Sequence, residues 1–189
     1  MVRGTQFASR VQRELLPVVP DSPYVTIRTI YHSLDMVSGD SYYLEWLNER
    51  KLLRGFLIDV TGHGLATALQ TASLNVLLRE TSVATLTLEE QLHQIDSRAA
   101  KYFSEGSYAA ILGFEFDFQK WELRYIGAGI TQFFCNGKKI ETPGMFVGMF
   151  GSAEFGAGAL PIAEGDGIYF LTDGFTDKLS QSSLPFWSP

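Results

Sequence analysis

The sequence predicts an α+β fold built from antiparallel hairpins and helices, and two patterns carry that expectation. Short segments of alternating apolar and polar residues occur in pairs across turn residues, at 41–46 with 52–60, at 108–118 with 121–125, and around Asn136-Gly137. Between the first two pairs lie two stretches of helical period, 65–79 and 87–103. A chain of 189 residues with 46% hydrophobic and 19% charged residues has the balance of a single globular domain.

Phe7, Val11 and Leu15 recur every four residues and predict a short amphipathic helix, which Pro17 and Pro20 end. This helix suits packing onto the domain, a connector from an upstream module, or a dimer seam. Residues 24–31 alternate and predict a strand. The polar turn 48–51 makes 41–46 and 52–60 antiparallel neighbours, so Asp40 and Asp59 fall at strand ends that can lie together.

Residues 65–79 are apolar over much of a helix surface, which predicts deep burial. Thr87-Leu88-Glu89-Glu90 is a capping-box pattern opening the next helix, and His93 sits beside that helix's apolar stripe as a surface or boundary residue. Phe133-Phe134-Cys135 and Lys138-Lys139-Ile140 flank Asn136-Gly137 as an edge hairpin. Residues 143–158 hold five glycines among Met145, Phe146, Met149, Phe150 and Phe155, which predicts a mobile, sticky loop able to cover a site. A strand at 168–172 then leads to Asp173, a helix is expected to start at 176–179, and 181–189 matches neither strand nor helix.

Composition removes several classes of function. Fifteen basic against 21 acidic residues give a net charge of −6 with no Lys/Arg cluster, which excludes nucleic acid as the main ligand. The single cysteine, Cys135, has no disulfide partner and no zinc-type spacing, which suits a reducing compartment. No run reaches membrane-span length and the N-terminus lacks a signal-peptide core, so a cytoplasmic location is expected.

The chemistry concentrates in Phe56-Leu57-Ile58-Asp59-Val60-Thr61-Gly62-His63-Gly64, an apolar strand that ends on a carboxylate and turns through glycines into a helix. Ser38-Gly39-Asp40 and Thr172-Asp173-Gly174 repeat the association of strand end, aspartate and glycine. Clustered carboxylates with nearby carbonyls form a hard oxygen set that selects Mg²⁺ or Mn²⁺ over zinc or copper. His63 fits a turn-shaping role better than ligation. Two such ions would activate a water and neutralise phosphoryl charge, giving hydrolysis without a protein nucleophile. No Gly-x-Ser-x-Gly elbow or lysine-bearing phosphate loop is present.

Gln12-Arg13-Glu14-Leu15-Leu16-Pro17, Ser38-Gly39-Asp40, Asp59-Val60-Thr61-Gly62-His63-Gly64, Gly165-Asp166 and Thr172-Asp173-Gly174, in this order, resemble the bacterial metal-dependent serine/threonine phosphatases of the PPM superfamily. The resembling branch is the sporulation stage II and sigma-factor-regulator type. The resemblance implies a β-sandwich of two antiparallel sheets flanked by helices, with a connector helix over 1–20 and a phosphatase domain over 21–189 that lacks its C-terminal strand. It implies catalytic roles for Asp40, Asp59 and Asp173. Asp59 would bridge two Mg²⁺ or Mn²⁺ ions, the Val60 carbonyl would bind one, Asp173 the other, and Asp40 would act mainly through metal-bound water.

The family pattern carries a further aspartate in an Asp-Asp-x-Thr-like stretch after the position of Asp173, and this chain stops before one occurs. Asp177 is the nearby acid but lies too close to Asp173 to replace it, so an incomplete second metal site and an exposed sheet edge are expected. The pattern also differs at Tyr43, where an aspartate is usual, and at Gly129-Ile130-Thr131, where Gly-His-Pro is usual. The implied function is hydrolysis of phosphoserine or phosphothreonine in a regulatory protein of the anti-sigma-factor-antagonist type. The apolar stripe of the first helix and the open edge are two surfaces through which a homodimer could form, and residues 180–189 are the alternative cover for that edge. The rivals are a catalytically impaired or non-catalytic interaction module with the same fold, and a divalent-metal phosphodiesterase for small molecules.

Overall fold

The computed structural model describes residues 2–18, 22–31, 37–47, 49, 51–82, 85–103 and 106–174. The expectations placed on 176–179, on Asp177 and on 180–189 lie outside them. Among the described residues, three helices, α1 (Val2–Leu15), α2 (Leu65–Thr81) and α3 (Leu88–Tyr102), accompany eight strands. These are β1 (Asp40–Leu47), β2 (Leu52–Val60), β3 (Ala109–Asp117), β4 (Glu122–Ala128), β5 (Gln132–Cys135), β6 (Lys138–Glu141), β7 (Gly156–Pro161) and β8 (Ile168–Tyr169). One antiparallel sheet has the order β1-β2-β3-β4-β7 and the other β6-β5-β8. The fold is thus α+β with two antiparallel sheets.

Period-two alternation sorts the five-stranded sheet into two faces. Phe56, Ile58, Val60 and Ile111 turn toward Leu74, Leu78, Leu92 and Ile95 of α2 and α3. Leu53, Leu112, Phe114 and Phe116 turn the other way, onto Phe133 of the second sheet and the half-buried Ile168 and Phe170. Full burial of each such side chain contributes roughly 1.5–3 kcal/mol. On the helical face, Arg54 of β2 is bound by Glu115 of β3 (Nε to Oε2, 2.7 Å), by Gln91 of α3 (Nη1 to Oε1, 3.0 Å) and by the Leu86 carbonyl (Nη2, 2.7 Å). This buried polar knot ties the α2–α3 connection to the sheet. The capping box of α3 is formed as expected, with the Glu90 amide donating to Thr87 Oγ1 and the Thr87 amide to Glu90 Oε2.

Three expectations need correction. Residues 24–28 alternate in burial, with Val25 and Ile27 against the inter-sheet core, whereas 28–30 are all exposed, and among the described residues the one bridge made by this segment joins Val25 to Ser22. Alternation there records packing on a core rather than strand pairing. The strand expected over 168–172 is confined to Ile168–Tyr169, where it pairs with β5. Helix α2 is less apolar on its buried face than expected. Leu65, Leu69 and Val76 are exposed, whereas Thr71 and Asn75 are buried because each finds partners there: Thr71 Oγ1 donates to the Gly39 carbonyl and Asn75 Nδ2 donates to Ser41 Oγ.

Helix α1 runs beyond the predicted start. It is fastened by Gln12, whose Nε2 donates to the Ser38 carbonyl and whose Oε1 accepts from the Ser38 amide. His93 is exposed and tilted against Phe155 at 5.0 Å between ring centroids.

Candidate active site

Asp40 and Asp59 are direct partners at the end of the β1–β2 ladder. Asp59 has the strand parity of Leu53 and Leu57, and Asp40 that of Leu44 and Trp46, so both carboxylates emerge on the inter-sheet side. The Asp40 amide donates to Ser38 Oγ at 3.1 Å, and the Val60 amide to the Gly39 carbonyl at 3.1 Å. Gly39 is required by this geometry: a Cβ there would stand 2.3 Å from the Val60 carbonyl oxygen. Thr172 Oγ1 lies 3.5 Å from Asp40 Oδ2, which brings the segment after β8, with Asp173, to the same place.

The three acids feel one another. Burial, followed by the charge of Asp173, raises the Asp40 pKa to about 6, against a weaker lowering by Thr172. Burial, then the charges of Asp40 and Asp173 and a hydrogen bond with the Asp173 side chain, raises Asp59 to about 7. Asp59 and Asp173 are therefore in direct contact, with Asp40 beside them. Among the described residues, no three His, Cys, Asp or Glu side chains are gathered at the spacing of a single ion. The donor set is oxygen only, and Mg²⁺ typically takes one or two protein carboxylates while keeping several waters. Asp59 and Asp173 fit that chemistry as direct ligands, and Asp40 as a partner through water.

A cleft of about 580 Å³ opens over Asp59, Val60 and Asp173, and none of its lining residues is basic. His63 is exposed and does not line the cleft. Tyr43 is buried in the helical core on the opposite strand parity from Asp40. Burial and its hydrogen bond to Glu45 push its hydroxyl up to about 12.

Sequence reasoning missed Thr61, Tyr108 and Asp96. The Thr61 amide and Oγ1 both donate to the Tyr108 carbonyl, each at 3.0 Å, and Thr61 Oγ1 lies 3.2 Å from the Tyr108 amide. This pairing fixes the turn after Asp59, whose Gly62 adopts φ +100°. Asp96 on α3 is fully buried, and its two oxygens accept from the Gly148 amide at 2.8 Å and the Ala153 amide at 3.0 Å. The glycine-rich loop is thus pinned rather than loose, a correction to the mobile loop expected there. Its composition was legible in sequence, but partners 52 and 57 residues from Asp96 were not.

Comparisons with known proteins agree with this architecture. The chain is 26% identical over 194 aligned positions to the phosphoserine phosphatase RsbP of Bacillus subtilis (strain 168), covering 96% of this chain and 47% of that protein. It therefore spans about half the length of that relative. The SiaA-PP2C domain of Pseudomonas aeruginosa superposes with a TM-score of 0.73 at 20% identity, over 93% of this chain and 72% of that one. RsbX in complex with magnesium superposes with a TM-score of 0.54 at 16% identity, over 69% and 63% of the respective chains. At such identities these two likenesses concern the fold alone. The family model for stage II sporulation protein E (SpoIIE) matches residues 50–186, and with most of the chain inside that match the protein belongs to the SpoIIE family.

Proposed function

We propose that the chain is a Mg²⁺- or Mn²⁺-dependent phosphoserine/phosphothreonine protein phosphatase acting in signalling, with Asp59 and Asp173 as direct metal ligands, the Val60 carbonyl as a further one, and Asp40 acting through water. The observation that carries the reading is that Asp59 and Asp173 line one cleft with no basic side chain in its wall, with Asp40 beside them as the ladder partner of Asp59. Their mutual repulsion calls for a cation, and an anionic phosphate would be repelled without one. RsbP, similar over 96% of this chain, is a phosphoserine phosphatase, and RsbX, which shares the fold, is a protein solved in complex with magnesium.

When bound, the metal supplies charge neutralisation at the phosphoryl oxygens and a water acidic enough to attack phosphorus. The protein's own share is placement. Thr61 and Tyr108 hold the turn that follows Asp59, Gly39 admits the Val60 carbonyl, and Thr172 steadies Asp40. The substrate that fits this reading is a phosphorylated regulatory protein of the anti-sigma-factor-antagonist type. The same reading treats residues 1–20 as a connector helix and 21–189 as the phosphatase domain, in the cytoplasm; no described helix is long and apolar enough to cross a membrane.

The rival reading, a non-catalytic module with the phosphatase fold, is favoured by the lack of a ready three-side-chain cage among the described residues. Hydrolysis of aryl phosphate and of a phosphoserine peptide, measured with and without Mn²⁺, separates the two. Metal-dependent turnover abolished by Asp59→Asn supports the phosphatase, and no turnover at saturating Mn²⁺ supports the module.

A further inference from the structure

Phe146 lines the same cleft as Asp59 and Asp173, and its ring packs on Tyr108 at 4.6 Å between centroids. Both aromatics are half-buried, which leaves part of each ring toward the cleft. The packing is close: a Cβ on Gly129, a residue at φ +96°, would stand 2.5 Å from the Phe146 ring. The loop that carries Phe146 continues into Met149 and Phe150, which are 38% and 62% exposed. These side chains stand on a fixed base. Besides the Asp96 clamp, Val147 exchanges two 2.9 Å backbone hydrogen bonds with Ala109, and Gly148 and Gly151 turn at positive φ against Phe103 and Ala100 of the α3 region.

Met145, Met149 and Phe150 expose apolar side chains within six positions of this one pinned loop, a concentration beside a cleft of the kind that marks a contact surface. Methionine also adapts its shape to varied apolar partners. A substrate whose phosphoryl group sits at Asp59 and Asp173 brings its flanking residues past Phe146 and Tyr108, which line the cleft, and Met149 and Phe150 follow Phe146 on the same loop just outside that lining.

On the phosphatase reading above, we propose that the loop over residues 143–156 is the docking surface for the protein substrate. Phe146, Met149 and Phe150 receive apolar side chains flanking the phosphorylated residue, and Asp96 is the positioning residue that holds the loop beside the carboxylates.

The test uses two phosphoserine peptides that differ only in carrying leucine or glycine on both sides of the phosphoserine, hydrolysed by the whole chain in Mn²⁺. Apolar contacts of this kind discriminate by roughly tenfold at the low end. The leucine peptide is therefore expected to show a KM about tenfold lower. That ratio should fall toward one in Phe146→Ala, Phe150→Ser and Asp96→Asn, and should persist in Val76→Ser, which removes an exposed apolar side chain on α2. A ratio of two KM values on one preparation does not depend on how much of the variant is folded, so loss of stability alone would not move it. Equal KM values in the wild type, or a ratio unchanged in all three loop variants, overturns the docking surface while leaving the phosphatase reading in place. If the wild type turns over neither peptide, the phosphatase reading fails. Fluorescence-anisotropy titration of the same peptides then decides the surface, with a leucine preference lost in Phe150→Ser supporting it and no preference overturning it.

Discussion

The carboxylates of Asp40 and Asp59 belong to directly opposed residues at the end of one antiparallel ladder, an arrangement of like charges that destabilises a sheet unless a cation or a proton offsets it. Asp59 also contacts Asp173, whereas Asp40 is held by Thr172. Calorimetric titration with Mn²⁺ should therefore show a greater loss of affinity for Asp59→Asn than for Asp40→Asn, with at least tenfold between them. Equal or reversed losses would remove the assignment of Asp59 as the principal ligand.

The raised acids also set a pH dependence. Asp40 at about 6 and Asp59 at about 7 keep protons in the folded, metal-free protein that the unfolded chain releases near 3.8. The folded state then binds more protons than the unfolded one, so stability falls as pH rises through these values. Metal-free protein should have a lower Tm at pH 8 than at pH 5, and Asp59→Asn should flatten that slope. Mn²⁺ at a hundred times its Kd should restore about 2.7 kcal/mol at pH 8. A Tm slope identical in wild type and Asp59→Asn would contradict the coupling.

Arg54 and Glu115 are both buried, so removing one partner strands the other. Arg54→Ala should cost about 3–5 kcal/mol in urea unfolding, and the double replacement Arg54→Met with Glu115→Leu should recover much of it. If the double variant is no more stable than the single one, the loss lies in the Gln91 and Leu86 contacts instead.

Thr87→Ala removes the side chain that accepts from the Glu90 amide and should cost about 1 kcal/mol in the same assay. Thr87→Ser should restore most of that loss, since the hydroxyl rather than the methyl group makes the cap.

The legible parts of this protein are those where local pattern and long-range structure agree. Strand β2 occupies the predicted 52–60, and the Asp40–Asp59 juxtaposition follows from hairpin register alone. The capping box is a four-residue signal and needed nothing else. What failed required a partner distant in sequence. Thr71 and Asn75 look like solvent-facing residues until Gly39 and Ser41 are placed beside them, and Asp96 looks like an ordinary helix acid until Gly148 and Ala153 arrive. Residues 24–31 have the period of a strand, but nothing in their composition states whether a neighbour will pair with them.

The five-stranded sheet places its two site-bearing strands unequally. β2 is paired on both sides, and Asp59 has Asp40 and Ala110 as neighbours, whereas among the described residues β1 is outermost and paired by β2 alone. Local opening therefore has two energies at one site: release of β1 breaks one ladder together with the Asn75–Ser41 bond and the packing of Tyr43, while release of β2 breaks two ladders and opens the sheet interior. Amide exchange along 40–47 should be faster than along 52–60. The acid on the outer strand thus rests on fewer backbone bonds than the acid on the inner strand, although the two are direct partners.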